Sequence, residues 1–206
     1  MSYTTLRITD AGVVLHSGHR ERLAPAGHAA LTAFDRFAAS AAPGIYSLRA
    51  EGDRLAITAL AASRLIDGMP TRARVSPLTH LRGAQPKPAS PCSYDTVRQE
   101  GVATLLTSSD GSEIYEACVA AVIGWDGARL VCVPSDRPRV ASVTEAALRL
   151  GLPFVEAPLL VADTLPLALI NAVKGVCEVE LPNRAALPQD VLATMRSLLA
   201  ATTRRA

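Results

Sequence analysis

Apolar residues alternate or run together over residues 4–8 and 13–16, on either side of Asp10-Ala11-Gly12, and this predicts a β-hairpin whose glycine supplies the tight turn. Between residues 18 and 40, Leu23, Ala26, Ala30, Leu31, Phe34, Phe37 and Ala38 recur at three- and four-residue spacing. That spacing places them on one face of a helix, with Pro25 either in its first turns or breaking it in two. Pro43-Gly44 then punctuates the chain, and residues 45–50, 55–61 and 71–78 read as strands joined by short Gly- or Asp-containing turns. The first half is therefore expected to run β-β-α-β-β-β.

Residues 81–91 contain Arg82-Gly83-Ala84-Gln85-Pro86-Lys87-Pro88-Ala89-Ser90-Pro91, too rich in Pro and Gly for a regular element. This stretch predicts a junction: a small N-terminal α+β domain over 1–82, a linker over 83–91 and a larger α+β domain over 92–206. The second half predicts a short helix over 94–101 and strands over 103–107, 113–116, 119–125 and 129–133, with Asp110-Gly111 and Asp126-Gly127 as hairpin turns. A helix over 142–150 opens with Ser142-Val143-Thr144-Glu145, whose hydroxyls and acid suit the free N–H groups of a helix start. Strands over 154–157, 167–172 and 175–180 and an amphipathic helix over 188–199 close the chain. The expected class is α+β.

The length of 206 residues fits one large domain or two small ones sharing a cleft. Apolar residues make up 49% of the chain, yet stretches such as 119–125 and 158–162 are far shorter than a bilayer span. With no basic start followed by an apolar run either, a cytoplasmic protein with no membrane segment is expected. Four cysteines, Cys92, Cys118, Cys132 and Cys177, show no CxxC or Cys/His spacing, so reduced core thiols and no metal site are expected. A net charge of +2 spread along the chain gives no nucleic-acid footprint. Of the 21 basic residues only Lys87 and Lys174 are lysines, so any lysine chemistry must use one of these two.

Four segments, in order, resemble the class IV pyridoxal-phosphate enzymes, the family of aminotransferases and aminodeoxychorismate lyases. Tyr3-Thr4-Thr5-Leu6-Arg7-Ile8, a turn, and His19-Arg20-Glu21-Arg22-Leu23 resemble its opening strand pair and its His-x-x-Arg-Leu helix. Lys87, seven residues before Tyr94-Asp95, is placed like the cofactor lysine of the lyase-like branch. Asp110-Gly111-Ser112-Glu113-Ile114-Tyr115-Glu116 is similar to the turn and strand that end in a glutamate at the pyridine nitrogen. The run from Pro134 through Ser142-Val143-Thr144 to Asn171-Ala172-Val173-Lys174-Gly175 resembles the phosphate-binding helix start and a second phosphate-side loop.

The resemblance implies a two-domain fold like that of the D-amino-acid aminotransferases, with an active-site cleft between the domains, a pyridoxal 5'-phosphate cofactor and a homodimer. It implies a lyase or an aminotransferase acting on an amino-acid or chorismate-derived small molecule. Lys87 would be the catalytic amine. Arg22, Glu116, Ser142, Val143, Thr144, Asn171 and Ala172 would bind the cofactor. Each role has a physical basis: a carboxylate keeps a pyridine nitrogen protonated, and helix-start N–H groups with hydroxyls and an arginine suit a phosphate. Read alone, Ser142 and Thr144 serve equally as helix caps, and Lys174 beside Gly175 reads as a turn residue. The chain departs from the family pattern at Ser142, where a glycine is usual, at Ala120-Ala121, where a Ser/Asn pair is common, and in flanking Lys87 with Pro86 and Pro88. The alternative reading is a cofactor-free or non-catalytic homologue that binds a small acid or a partner protein.

Overall fold

The computed structural model describes residues 2–61, 71–77 and 102–203. Lys87, Cys92, the linker over 83–91 and the helix expected over 94–101 lie outside the described residues. The chain starts with β1 (Ser2–Thr9), turns through Gly12 at φ 116° and pairs back as β2 (Gly12–Val13). The second hairpin strand is thus shorter than the expected 13–16. Leu15 adopts a left-handed backbone, φ 57°, and α1 (His16–Leu23) begins directly after it. That conformation costs energy for a residue with a Cβ, and the burial of the Leu15 side chain offsets it.

The amphipathic stretch splits as its proline allows: α1, a 3₁₀ turn over Ala24–Ala26 containing Pro25, Gly27 at φ 97°, then α2 (His28–Ser40). Strands β3 (Gly44–Glu51) and β4 (Arg54–Leu60) complete a four-stranded antiparallel sheet in the order β2-β1-β3-β4. Leu6, Ile8, Leu48 and Ala50 from one face of this sheet pack with Leu23, Ala30, Phe34 and Ala38 of the two helices. The period-2 pattern of the strands and the 3.6-residue pattern of α2 meet in one core.

Among the described residues, the remaining strands form a nine-stranded sheet, ordered β10-β9-β8-β12-β13-β5-β6-β7-β11. They are β5 (Thr71–Pro77), β6 (Ala103–Thr107), β7 (Glu113–Ala117), β8 (Ala121–Trp125), β9 (Leu130–Cys132), β10 (Phe154–Glu156), β11 (Leu159–Leu160), β12 (Leu167–Asn171) and β13 (Gly175–Glu180). Helices α3 (Val143–Leu148) and α4 (Gln189–Ala201) cover one face, where Leu148, Leu192, Met195 and Leu199 pack on Ile123, Ala168, Ile170 and Val176. The other face buries Val122, Leu167, Leu169 and Cys177, residues adjacent in sequence to the first set. This sheet curls on itself: Leu105, Ile114 and Leu159 share that second cluster with Val131 and Leu169. A Cβ at Gly124 would sit 3.0 Å from Leu159 Cδ2, so the absence of a side chain lets β8 and β11 approach.

Two further expectations are revised, and one strand was not foreseen. Strand β5, grouped by its position with the N-terminal half, hydrogen-bonds between β13 and β6, so the chain leaves the four-stranded sheet between β4 and β5, ahead of the 83–91 linker. Alternation reports which residues face inward but not which strand lies alongside. The strand expected over 119–125 begins at Ala121, because Ala117 and Ala120 bridge in a tight turn. Strand β11 is too short for a periodicity to reveal. No described helix is long and apolar enough to cross a membrane.

Candidate functional site

Helix α1 is fixed from both sides. His19 is fully buried, with Nδ1 2.7 Å from Thr4 Oγ1 on β1. On the opposite side Gly18 faces α3 so closely that a Cβ there would lie 3.1 Å from Val143 Cβ. One turn further along, Arg22 reaches the carbonyl oxygen of Ala141, the residue just before Ser142. The Arg22 guanidinium is half-buried, which pushes its pKa below the usual arginine value, and the Ala141 carbonyl is its one hydrogen-bond partner among the described residues. No carboxylate pairs with it there.

Ser142 caps α3 in the expected way: its Oγ accepts the Glu145 N–H at 3.2 Å. Thr144, in the first turn of α3, is 1% exposed, and its Oγ1 has no hydrogen-bond partner among the described residues. Glu145 supplies only its N–H to the cap. Its carboxylate instead receives Arg139, with Nη1 to Oε2 at 2.6 Å and Nη2 to Oε1 at 3.2 Å, and Arg149 Nη2 at 3.0 Å.

On β7, Glu116 is buried and pairs with Leu106, while Ile114 pairs with Thr107 across a β-bulge, so the bulge turns Glu116 to the face opposite Ile114. Its Oε2 accepts the Val140 N–H at 3.1 Å. Arg137 Nε, nearby in the same segment, donates to Glu113 Oε1 at 2.9 Å. Residues 139–144, which contain Ser142 and Thr144, therefore meet Arg22 and Glu116 from distant parts of the sequence. Val143 packs on Gly18 and against the core cluster that contains Ala172. Asn171 uses its side chain locally: Oδ1 accepts the N–H groups of Val173 and Lys174 at 2.9 and 2.7 Å, and Nδ2 donates to Val119 O at 3.3 Å. It closes the β12–β13 turn and ties it to the turn after Glu116, without a hydrogen bond to residues 139–144. Cys132 stays a thiol: burial first, then the charge of Glu145, push it up to about 11.

Arg139, Glu145 and Gly18 were not singled out as site residues by the sequence. An arginine six positions before a glutamate across a helix start has no periodic signature, and Gly18 matters only through a helix brought to it by the fold.

No family model matches the sequence, and no curated protein matches it. Solved structures do resemble the chain. A hypothetical aminotransferase from Mycobacterium tuberculosis in its pyridoxal-phosphate-bound form superposes with a TM-score of 0.70 at 19% identity, covering 98% of this chain and 88% of that one. A 4-amino-4-deoxychorismate lyase from Pseudomonas aeruginosa does so with a TM-score of 0.66 at 17% identity, covering 95% and 90%. A fold IV transaminase from Curtobacterium pusillum gives 0.67 at 16% identity, covering 98% and 84%. The chain has the fold of the class IV aminotransferases. Within that class IV fold, α1, the end of β7 and the start of α3 meet around residues 139–144, so Arg22, Glu116, Ser142 and Thr144 converge on one segment; Asn171 does not hydrogen-bond to it, and Lys87 lies outside the described residues.

Proposed function

We propose that the chain is a pyridoxal-phosphate-dependent enzyme, a lyase or an aminotransferase acting on an amino-acid or chorismate-derived small molecule as a cytoplasmic homodimer. The observation that carries this reading is the combination, on either side of the turn into α3, of a half-buried guanidinium at Arg22 and a buried hydroxyl at Thr144, the first with no carboxylate partner and the second with no hydrogen-bond partner among the described residues. A desolvated cation and an unused donor beside a helix start suit the dianion of a phosphate ester. The M. tuberculosis neighbour is described in a pyridoxal-phosphate-bound form, which supports the same choice of group.

Arg22 supplies countercharge to the phosphate and Thr144 donates its hydroxyl, while Ser142 and Val143 shape the turn. Glu116 holds a proton at the pyridine nitrogen. Asn171 and Ala172 support the phosphate side through the β12–β13 turn. When bound, the cofactor supplies a ring that accepts negative charge from the substrate Cα. Lys87 is the amine that moves the Cα proton.

Purified protein incubated with pyridoxal phosphate tests this. A yellow protein whose visible band shifts on borohydride reduction, and which loses the band in Lys87→Ala, is the expected result. A band that survives Lys87→Ala and vanishes in Lys174→Ala moves the catalytic role to the other lysine. A colourless protein that takes up no pyridoxal phosphate overturns the reading in favour of the cofactor-free homologue. Release of pyruvate from aminodeoxychorismate separates lyase from aminotransferase.

A further inference from the structure

Three consecutive residues each engage a different part of the site. Val140 N–H donates to Glu116 Oε2 at 3.1 Å, Ala141 O accepts from Arg22, and Ser142 Oγ accepts the Glu145 N–H. Residues 134–142 belong to no strand or helix, so no ladder of backbone hydrogen bonds fixes them. Ion pairs hold them instead. Arg137 is tied to Glu113 at 2.9 Å, and Arg139 grips Glu145 with both terminal nitrogens, at 2.6 and 3.2 Å. Arg139 Nε also donates back to Pro134 O at 3.4 Å, closing the segment on itself.

The Arg139 and Glu145 side chains are only 9% and 6% exposed. A pair so far removed from water adds little net stability over apolar residues of the same volume, because desolvating both charges offsets their attraction. Its distinctive contribution is geometric. A planar guanidinium bonded through two nitrogens to one carboxylate fixes orientation as well as distance. The glutamate lies in the first turn of α3 and the arginine one residue before Val140, so the fork spans the segment that meets Glu116 and Arg22.

We propose that Arg139 and Glu145 are positioning residues that hold Val140 to Ser142 so that the Glu116 carboxylate and the Arg22 guanidinium stand at the separation required by the two ends of one pyridoxal phosphate molecule. The proposal rests on the cofactor reading above and deepens it. Neither residue touches the cofactor; each acts through the backbone of residues 140–142. A pair that merely supports the fold leaves cofactor affinity unchanged once an apolar pair restores stability. A positioning pair makes the contributions of the two ends depend on it.

Equilibrium dialysis gives the dissociation constant for pyridoxal phosphate in the wild type, in Arg139→Met/Glu145→Leu, in Glu116→Gln and in the triple variant, with thermal unfolding run on each. Arg149 also donates to Glu156 at 3.1 Å, so loss of Glu145 still leaves it a carboxylate partner. The expected double variant unfolds near the wild-type temperature yet binds about tenfold more weakly, and the loss caused by Glu116→Gln shrinks in its background. Arg139→Lys, which keeps the charge without the fork, falls in between. Wild-type affinity in a folded double variant, or a Glu116→Gln effect that simply adds, overturns the proposal. If the double variant does not fold, Arg139→Lys and Glu145→Gln decide the matter, and unchanged affinity in both overturns it. A wild type that binds no pyridoxal phosphate overturns the cofactor reading and this proposal together, an outcome distinct from the others.

Discussion

Thr144 buries a hydroxyl whose oxygen has no hydrogen-bond partner among the described residues, and such a group costs about 1–3 kcal/mol when left unsatisfied. A fold retains that cost where the group serves a ligand. Thr144→Val keeps the shape and removes the unsatisfied oxygen, so the cofactor-free protein is expected to be as stable as the wild type or slightly more so. Its affinity for pyridoxal phosphate is expected to drop about tenfold or more, the loss of one hydrogen bond to a charged group. Thermal unfolding without cofactor and a binding titration read the two effects separately, and equal loss in both would assign Thr144 to the fold alone. At this scale the sequence exposed part of the site. Ser142 was legible as a cap because capping is local chemistry, whereas Glu116 was singled out by the family resemblance alone. The Arg139–Glu145 fork was hidden, since Glu145 at the third position of a helix reads as a capping acid.

Helix α1 matters as an element because of what it carries and what it touches. Gly18 sits where a methyl group would lie 3.1 Å from Val143 Cβ, an atom bonded directly to the α3 backbone rather than the far end of a flexible side chain. Alanine improves intrinsic helix propensity by about 1 kcal/mol over glycine, whereas overpacking a tight contact costs about 1–3 kcal/mol. The clash wins. Gly18→Ala is therefore expected to lower stability modestly in a denaturant titration and to weaken pyridoxal phosphate binding, because Arg22 lies one turn further along the same helix. Wild-type affinity in a folded Gly18→Ala variant would separate Arg22 from the α1–α3 contact. The helices and most strands were legible because their patterns are local: Pro25 divided α1 from α2, and Gly12 marked the first hairpin. The two-residue strand β11 and the shortened β2 were not, because their limits come from a neighbouring strand and from the left-handed turn at Leu15.

At the scale of the whole molecule, two sheets of four and nine strands exchange the chain between β4 and β5, and the larger one curls until β8 meets β11 across Gly124. The homodimer proposed for the protein predicts a sedimentation-equilibrium mass of twice the 21.6 kDa chain, and a mass of one chain at micromolar concentration would remove that element of the proposal. The sequence by itself determined which residues turn inward, where the helices start and break, and that only two lysines are available for chemistry. Those properties follow from the periodicity of side chains about a local backbone and from composition, and they need no knowledge of distant neighbours. The tertiary structure alone decided that β5 joins the nine-stranded sheet, that Arg22 meets Ala141 across more than half the chain, and that Arg139 closes on Glu145 beneath them. Those are contacts between segments with no shared period, and their energies arise only once packing has removed the groups from water.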